Sequence, residues 1–288
     1  RKSNFLAAFS NVRDESCLAW VDISTGIVCY RSCLLSQLGP ELARLAPAEV
    51  LVSEDADVSI HEIIFDSGAA STKMPPTVFD SESGLQNLIG VYGDEKVSVF
   101  NELGRSDTAA LGVLIEYLST TQKEQTPLLQ LPIREAQGDF VSIDAATRRN
   151  LELTETLNGN HQGSLLFAVD RSVTGAGARL LYQRITTPSQ RIDLISERAN
   201  AVQFFCEERG TRTAIRIALK QLPDIERALS RLALGRGGPR DLVAIANGTM
   251  QAIKVSQLLS EKSLPSLLSS INPDLVGHDL LSNELTTA

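Results

Sequence analysis

Asp22, with Glu54 and Asp55 further along, is the set of side chains in this sequence that most resembles reaction machinery. Carboxylates gathered at strand ends can hold two magnesium ions and drive phosphodiester hydrolysis. Asp22 also stands directly before Ser24, Thr25 and Gly26, where a carboxylate that accepts hydrogen bonds caps a hairpin turn. No further carboxylate pair sits at the end of a late helix to complete a two-metal set. Turn capping is therefore the reading of Asp22, with a magnesium-dependent nuclease using Asp22 and Glu54 as the alternative. Gly175-Ala-Gly177 opens like a dinucleotide fingerprint, but Leu180 stands where the third glycine belongs, so helix packing explains the pair better. Gly235-Arg-Gly-Gly-Pro lacks the Gly-Lys-Ser/Thr of a phosphate loop and reads as an interhelical turn. His61, His161 and His278 are too scattered for a triad. Cys17, Cys29, Cys33 and Cys206 lack zinc spacing and read as reduced core thiols.

The elements that must position these groups divide the chain in two. Cys17 to Ser24 and Ile27 to Leu34 are short β-friendly runs with Thr25 and Gly26 between them, which suits a tight hairpin. Leu35 to Leu45 has helical spacing. Glu49 to Ser53 reads as a buried strand, Pro75 to Phe79 as another short one, and Ser67 to Pro76 as a loop. Thr108 to Leu118 is a helix, apolar nearly all round. The Gln122 to Pro132 segment is the domain connection, which puts a mixed α/β domain at 1–122 and an almost wholly helical one at 123–288.

The stretch from Ser142 to Pro188 reads as a helical passage without a metal-ligand or nucleophile constellation, which points to mechanical work. Asp144 caps a helix carrying Ile143, Leu151, Leu153 and Leu157 amid charged residues, so one face packs and the other stays wet. A turn follows at Asn158 to Asn160. Thr174 caps Gly175 to Ile185. Arg191 to Phe205 places Ile192, Ile195, Ala199, Val202 and Phe205 on one apolar stripe. Arg212 to Leu219, Asp224 to Leu234, Leu242 to Leu259 and Leu264 to Ile271 continue the pattern, and a bundle is the natural way to hide such stripes.

With 288 residues, 43% hydrophobic and 22% charged, the chain can bury two cores, and no stretch reads as a membrane span. Its start at Arg1 suggests an excised piece, and its cysteine usage a cytoplasmic location. Charge is uneven. Residues 1–122 carry 8 Lys and Arg against 17 Asp and Glu, a poor surface for DNA; residues 134–240 carry 16 against 12. Those arginines are spread over several helices and read mostly as solvated or ion-paired.

Asp144-Ala-Ala-Thr-Arg-Arg-Asn-Leu-Glu-Leu-Thr, then Gly163-Ser-Leu-Leu, then Val173-Thr-x-x-Gly177-x-Arg179-Leu-Leu, resembles the start of the core, or lever, domain of the MutS family of DNA mismatch-repair proteins. The likeness continues through Leu222-Pro-Asp-Ile-Glu-Arg and Pro239-Arg-Asp-Leu, and the first 120 or so residues resemble the connector domain before that core. The resemblance implies an RNase H-like, noncatalytic α/β connector followed by an all-α lever bundle. It also implies a parent protein that clamps mismatched duplex DNA as a homodimer and uses ATP and magnesium, bound elsewhere, to recruit MutL. The fragment itself would hold no catalytic, cofactor or metal site. Part of the MutL contact falls near Leu85 to Gly93, with Gln86 as the single choice; no DNA-contacting residue is singled out. Phe100-Asn-Glu102 and Phe205-Cys-Glu207 imitate the family's mismatch-reading triplet, which belongs to a domain ahead of the connector, so both read as core. A protein-interaction scaffold that binds no DNA is a further alternative.

Overall fold

The computed structural model describes residues 4–13, 15–122, 129–136 and 138–287. They fall into two compact units that divide between Leu165 and Leu166.

The first unit is a sheet covered by helices on both faces. Strands β1 (Phe5–Val12), β2 (Glu15–Asp22) and β3 (Ile27–Ser32) run antiparallel, and helix α1 (Leu35–Leu45) leads to β4 (Glu49–Ser53), which lies parallel to β1. Helix α2 (Val58–Asp66) crosses to β5 (Ala70–Met74), parallel to β4 at the sheet edge. A 3-10 turn (Pro76–Phe79), α3 (Ser81–Tyr92), a second 3-10 turn (Asp94–Lys96), α4 (Val97–Phe100) and α5 (Arg105–Gln122) follow, before β6 (Ile133–Arg134) joins β3 in parallel. The order is β5-β4-β1-β2-β3-β6.

Strand pleating sends alternate residues to opposite faces. Leu6 and Ala8 of β1 and Cys17, Ala19 and Val21 of β2 meet Leu111, Leu114 and Leu118 of α5 and Leu88 of α3. Ala7, Phe9, Leu18 and Trp20 face Leu38 and Leu42 of α1 and Ile60 and Ile64 of α2. Because both faces are covered, central strands are apolar at consecutive positions, which is why Glu49 to Ser53 was legible as buried. Helices α3 and α5 cross at Gly84 and Gly112. A Cβ on Gly112 would fall 2.3 Å from the Gly84 Cα, and one on Gly84 2.5 Å from the Thr108 carbonyl oxygen, so neither position has room for a side chain.

Several expectations are corrected here. Phe5–Val12, α2 and α3 are elements beyond those expected, so Asp22 ends the second strand rather than the first. Pro75 to Phe79 is no strand. Pro76 sits at the first position of a 3-10 turn, where its fixed φ and missing N–H suit a helix start and not a ladder. Within the supposed loop from Ser67 to Pro76, Ala70–Met74 pairs with β4; it is polar because it is an edge strand with a wet face.

Residues 129–165 fold with the first unit. Leu129 is in its core, the Gln130 N–H donates to the Gly26 carbonyl at 2.8 Å, and α6 (Ala145–Asn150) packs on α1. Of the expected connection, Gln122 to Pro132, residues 123–128 lie outside the described residues. The passage from Ser142 to Pro188 is helical only in part. Helix α6 stops at Asn150, Glu152 takes a left-handed φ of 47°, and turns carry the chain to α7 (Leu165–Val169). Leu153 is buried, whereas Leu151 and Leu157 are exposed, so no amphipathic helix runs through them.

The second unit is helical: α8 (Gly175–Thr186), α9 (Ile192–Glu207), α10 (Arg209–Lys220), α11 (Ile225–Ala233), α12 (Pro239–Ser260), α13 (Ser266–Ile271), a 3-10 turn (Asn272–Leu275) and α14 (Asp279–Thr287). The 22-residue α12 is central, with α10, α11 and α14 packed against it. Asp144 and Thr174 are caps as anticipated. The Asp144 carboxylate accepts from the Thr147 N–H at 2.8 Å, and the Thr174 hydroxyl from the Gly177 N–H at 3.0 Å. The stripe on α9 is opposite to expectation: Ile192, Ile195 and Val202 are exposed, and the buried position is Ala201. Periodicity identifies an apolar face, but the neighbours decide which face is covered.

Candidate functional site

The suspected nuclease carboxylates do not meet. Asp22 pairs with Phe5 across β1 and β2, while Leu6 pairs with Glu49 across β1 and β4; counting along the strands puts Glu54 level with Asn11. Six residues at about 3.3 Å each separate the two levels, roughly 20 Å along the sheet. They lie at opposite ends. The Asp22 carboxylate instead accepts from the Ser24 N–H at 2.9 Å and hydroxyl at 2.6 Å, the turn cap anticipated for it. Asp55 accepts from the Ser53 hydroxyl. Among the described residues no group of three His, Cys, Asp or Glu side chains could hold a metal ion.

The glycines after Thr174 serve an ion-pair clamp. A Cβ on Gly175 would fall 2.9 Å from the Asp224 carboxylate, and one on Gly177 2.8 Å from the Thr174 hydroxyl that caps the helix. One turn on, the Arg179 guanidinium donates to both Asp224 oxygens, at 2.7 and 2.9 Å, and to Glu226 at 2.6 Å. The fork ties α8 to the start of α11 and holds the Asp224 carboxyl below the usual range. Gly235, at a φ of 63°, and Gly237 form the turn before α12, and a Cβ on Gly237 would collide with Leu232 at 2.4 Å. That space is filled by leucine. Without a lysine, these residues do not fit a nucleotide phosphate.

A second clamp binds the chain that leaves the sheet. Just past β6, the Glu135 N–H donates to the Tyr30 carbonyl at 2.9 Å, and its carboxylate pairs with Arg44 of α1 at 2.9 Å and lies 4.0 Å from Arg31 of β3. Glu41 bridges the same arginines at 2.9 and 2.7 Å. Arg44 also lies over the Trp20 and Phe140 rings. Burial pushes the Glu135 carboxyl up, against the pull of Arg44 and Arg31. These four charges went unnoticed in the sequence because Arg44 and Glu135 are 91 residues apart. The nearby Cys29 and Cys33 thiols are each pushed up to about 12 by burial, and burial also raises Cys17 well above its ordinary value; Cys17 and Cys33 are core groups, and Cys29 is partly buried against the core. Cys206 is exposed, a departure from the core reading.

Family models place these elements. MutS domain II matches residues 4–130 and MutS domain III residues 146–288. The DNA mismatch repair protein MutS of Paracoccus denitrificans is 47% identical over 288 residues, covering all of this chain and 32% of its own length. The chain belongs to the MutS family. MutS proteins of Dinoroseobacter shibae and Roseobacter denitrificans are each 44% identical, over 288 and 285 residues, covering 100% and 99% of this chain and 33% and 32% of their own lengths. The chain thus spans about a third of the length of these MutS relatives. Its sheet unit is the RNase H-like connector and its helical unit belongs to MutS domain III.

Within the MutS frame, the first residues matched by domain III, through Leu165, belong to the compact unit built on the connector sheet. Gln86 is exposed on α3, with the crossing glycine Gly84 and Leu88 buried behind it. Phe100 is 2% exposed in the connector core, as read from the sequence, while Phe205 is half-buried on α9. His61, His161 and His278 are far apart in the chain; His161 lies 3.2 Å from the Thr154 carbonyl.

Proposed function

We propose that this chain is the connector and the first part of the lever of a mismatch-recognition ATPase. It passes nucleotide-driven movement between duplex DNA and MutL and performs no catalysis itself. The observation that carries this reading is the match of the entire chain to proteins named for DNA mismatch repair. The two clamps support it, since coupling needs bodies that move as units and keep their internal geometry. ATP, magnesium and the homodimer contact belong to the remainder of the parent protein, and the setting is cytoplasmic; no helix among the described residues is long and apolar enough to cross a membrane.

The α3 surface around Gln86 is the proposed MutL contact. Purified MutL titrated over the immobilised chain should bind, and Gln86→Arg should weaken binding about tenfold, the effect of a charge forced into a packed contact. Absence of binding by the unaltered chain, or indifference to the substitution, would remove the MutL assignment. Magnesium-dependent cleavage of duplex DNA that is lost on Asp22→Asn would restore the nuclease.

A further inference from the structure

Helix α10 carries Arg209, Arg212, Arg216 and Lys220, with no acidic residue between Arg209 and Lys220. At 100° per residue these four lie within a sector of about 80°, and at 1.5 Å per residue they run for about 16 Å. All four are exposed, while Ile215 and Ala218 on the other side are buried against the unit. The surrounding carboxylates are already engaged. Glu208 pairs with Lys262 at 2.9 Å, Glu207 accepts from the Gln203 amide, and Asp224 and Glu226 hold Arg179. Among the described residues none of the four cations lies within ion-pair distance of a carboxylate; Arg216 donates to the Arg171 carbonyl at 3.0 Å. Elsewhere in the unit Arg179, Arg191, Arg227, Arg231 and Lys262 are paired, while Arg184, Arg198, Arg236, Arg240 and Lys254, also outside ion-pair distance of a carboxylate among the described residues, are scattered over α8, α9, the turn before α12 and α12 itself.

We propose that this stripe is a docking surface for the phosphate backbone of duplex DNA. The stripe presents charge every 4 to 6 Å along a straight line, by the same helical rise, against a polymer whose strands carry a phosphate about every 3.4 Å of axis. Its four members are all long cationic side chains, whereas the core of a protein interface is depleted in charge and anchored on apolar or aromatic groups. The contact is sequence-independent, because helix-borne cations facing phosphates do not read base edges. It rests on the duplex-DNA part of the reading above and is independent of MutL.

The test is fluorescence anisotropy of the 288-residue chain with a labelled blunt duplex of scrambled sequence, from 50 to 200 mM salt. Four phosphate contacts predict an affinity loss of about a hundredfold across that range, a log–log slope near −3.6. Combined Arg212→Gln, Arg216→Gln and Lys220→Gln substitutions should flatten the slope by about 2.7, the same positions changed to lysine or arginine should retain it, and Arg191→Gln should leave it unaltered. Circular dichroism of the variants should match that of the unaltered chain, since the substituted residues are exposed. An unchanged slope in the triple glutamine variant, no duplex binding at 50 mM salt, or tighter binding of poly-glutamate than of duplex would each overturn the proposal, the last by assigning the stripe to an acidic protein partner.

Discussion

Arg179 shows what a single residue contributes to the helical unit. Its side chain is 9% exposed and reaches carboxylates 45 and 47 residues away, so one residue fixes the entry of α11 against α8. A lysine could keep the charge but not the planar fork. Arg179→Met should cost about 2 kcal/mol in urea unfolding of the helical unit, an estimate that gives little weight to the half-exposed Glu226 arm. The pH dependence has a definite sign. Asp224 is held below its ordinary range chiefly by the Arg179 hydrogen bonds, so the stability it adds is complete above its unfolded pKa of about 3.9 and is lost as pH falls through the lower folded value. Acid titration of the urea midpoint should therefore show a steeper decline below about pH 4 in the unaltered chain than in Arg179→Met. Equal declines would separate Asp224 from acid stability.

At the scale of elements, the α3–α5 crossing brings two helices into backbone contact. Backbone meets backbone at Gly84 and Gly112, so Gly112→Ala places a methyl where the neighbouring Cα already lies and neither helix has a flexible side chain to move aside. The cost should be about 1–3 kcal/mol of overpacking, read as a lowered thermal midpoint. If the proposed MutL contact at Gln86 holds, the same variant should also weaken MutL capture, because Gln86 stands on α3 two residues beyond Gly84; full capture with a lowered midpoint would show that the α3 surface tolerates displacement. The Glu135 clamp acts differently. Desolvation offsets the attraction in a buried pair, so such a pair adds little over an apolar replacement, although loss of one partner is costly. What the clamp fixes is the register of β6, only two residues long, against β3.

For the molecule as a whole, each unit has its own ion-pair clamp, buried in the first and part-exposed in the second, and the single tryptophan, Trp20, lies in the core of the first. Glu135→Ala leaves Arg31 and Arg44 short of one counter-charge and should destabilise that unit by about 3 kcal/mol. Trp20 fluorescence should report the loss, and should not move in Arg179→Met; a Trp20 transition displaced equally by both would mean that the units unfold together. Much of this arrangement was legible in the residues. Apolar runs marked β2, β3, β4 and α5, Asp144 and Thr174 announced their helices through backbone-capping chemistry, and the ordered segments from Asp144 to Leu181 carried the family. Each of these signals is local, set by pleat, helical period or a hydrogen bond to a residue two or three positions away. What only tertiary structure decided was non-local: that Asp22 and Glu54 belong to opposite ends of the sheet, that the polar segment Ala70–Met74 is an edge strand, and that the α9 stripe faces outward. It also decided that Glu135 meets Arg44 and Arg179 meets Asp224. Chain order does not encode which distant charges meet. That depends on strand register and helix packing, which are settled only when the whole sheet and bundle close around them.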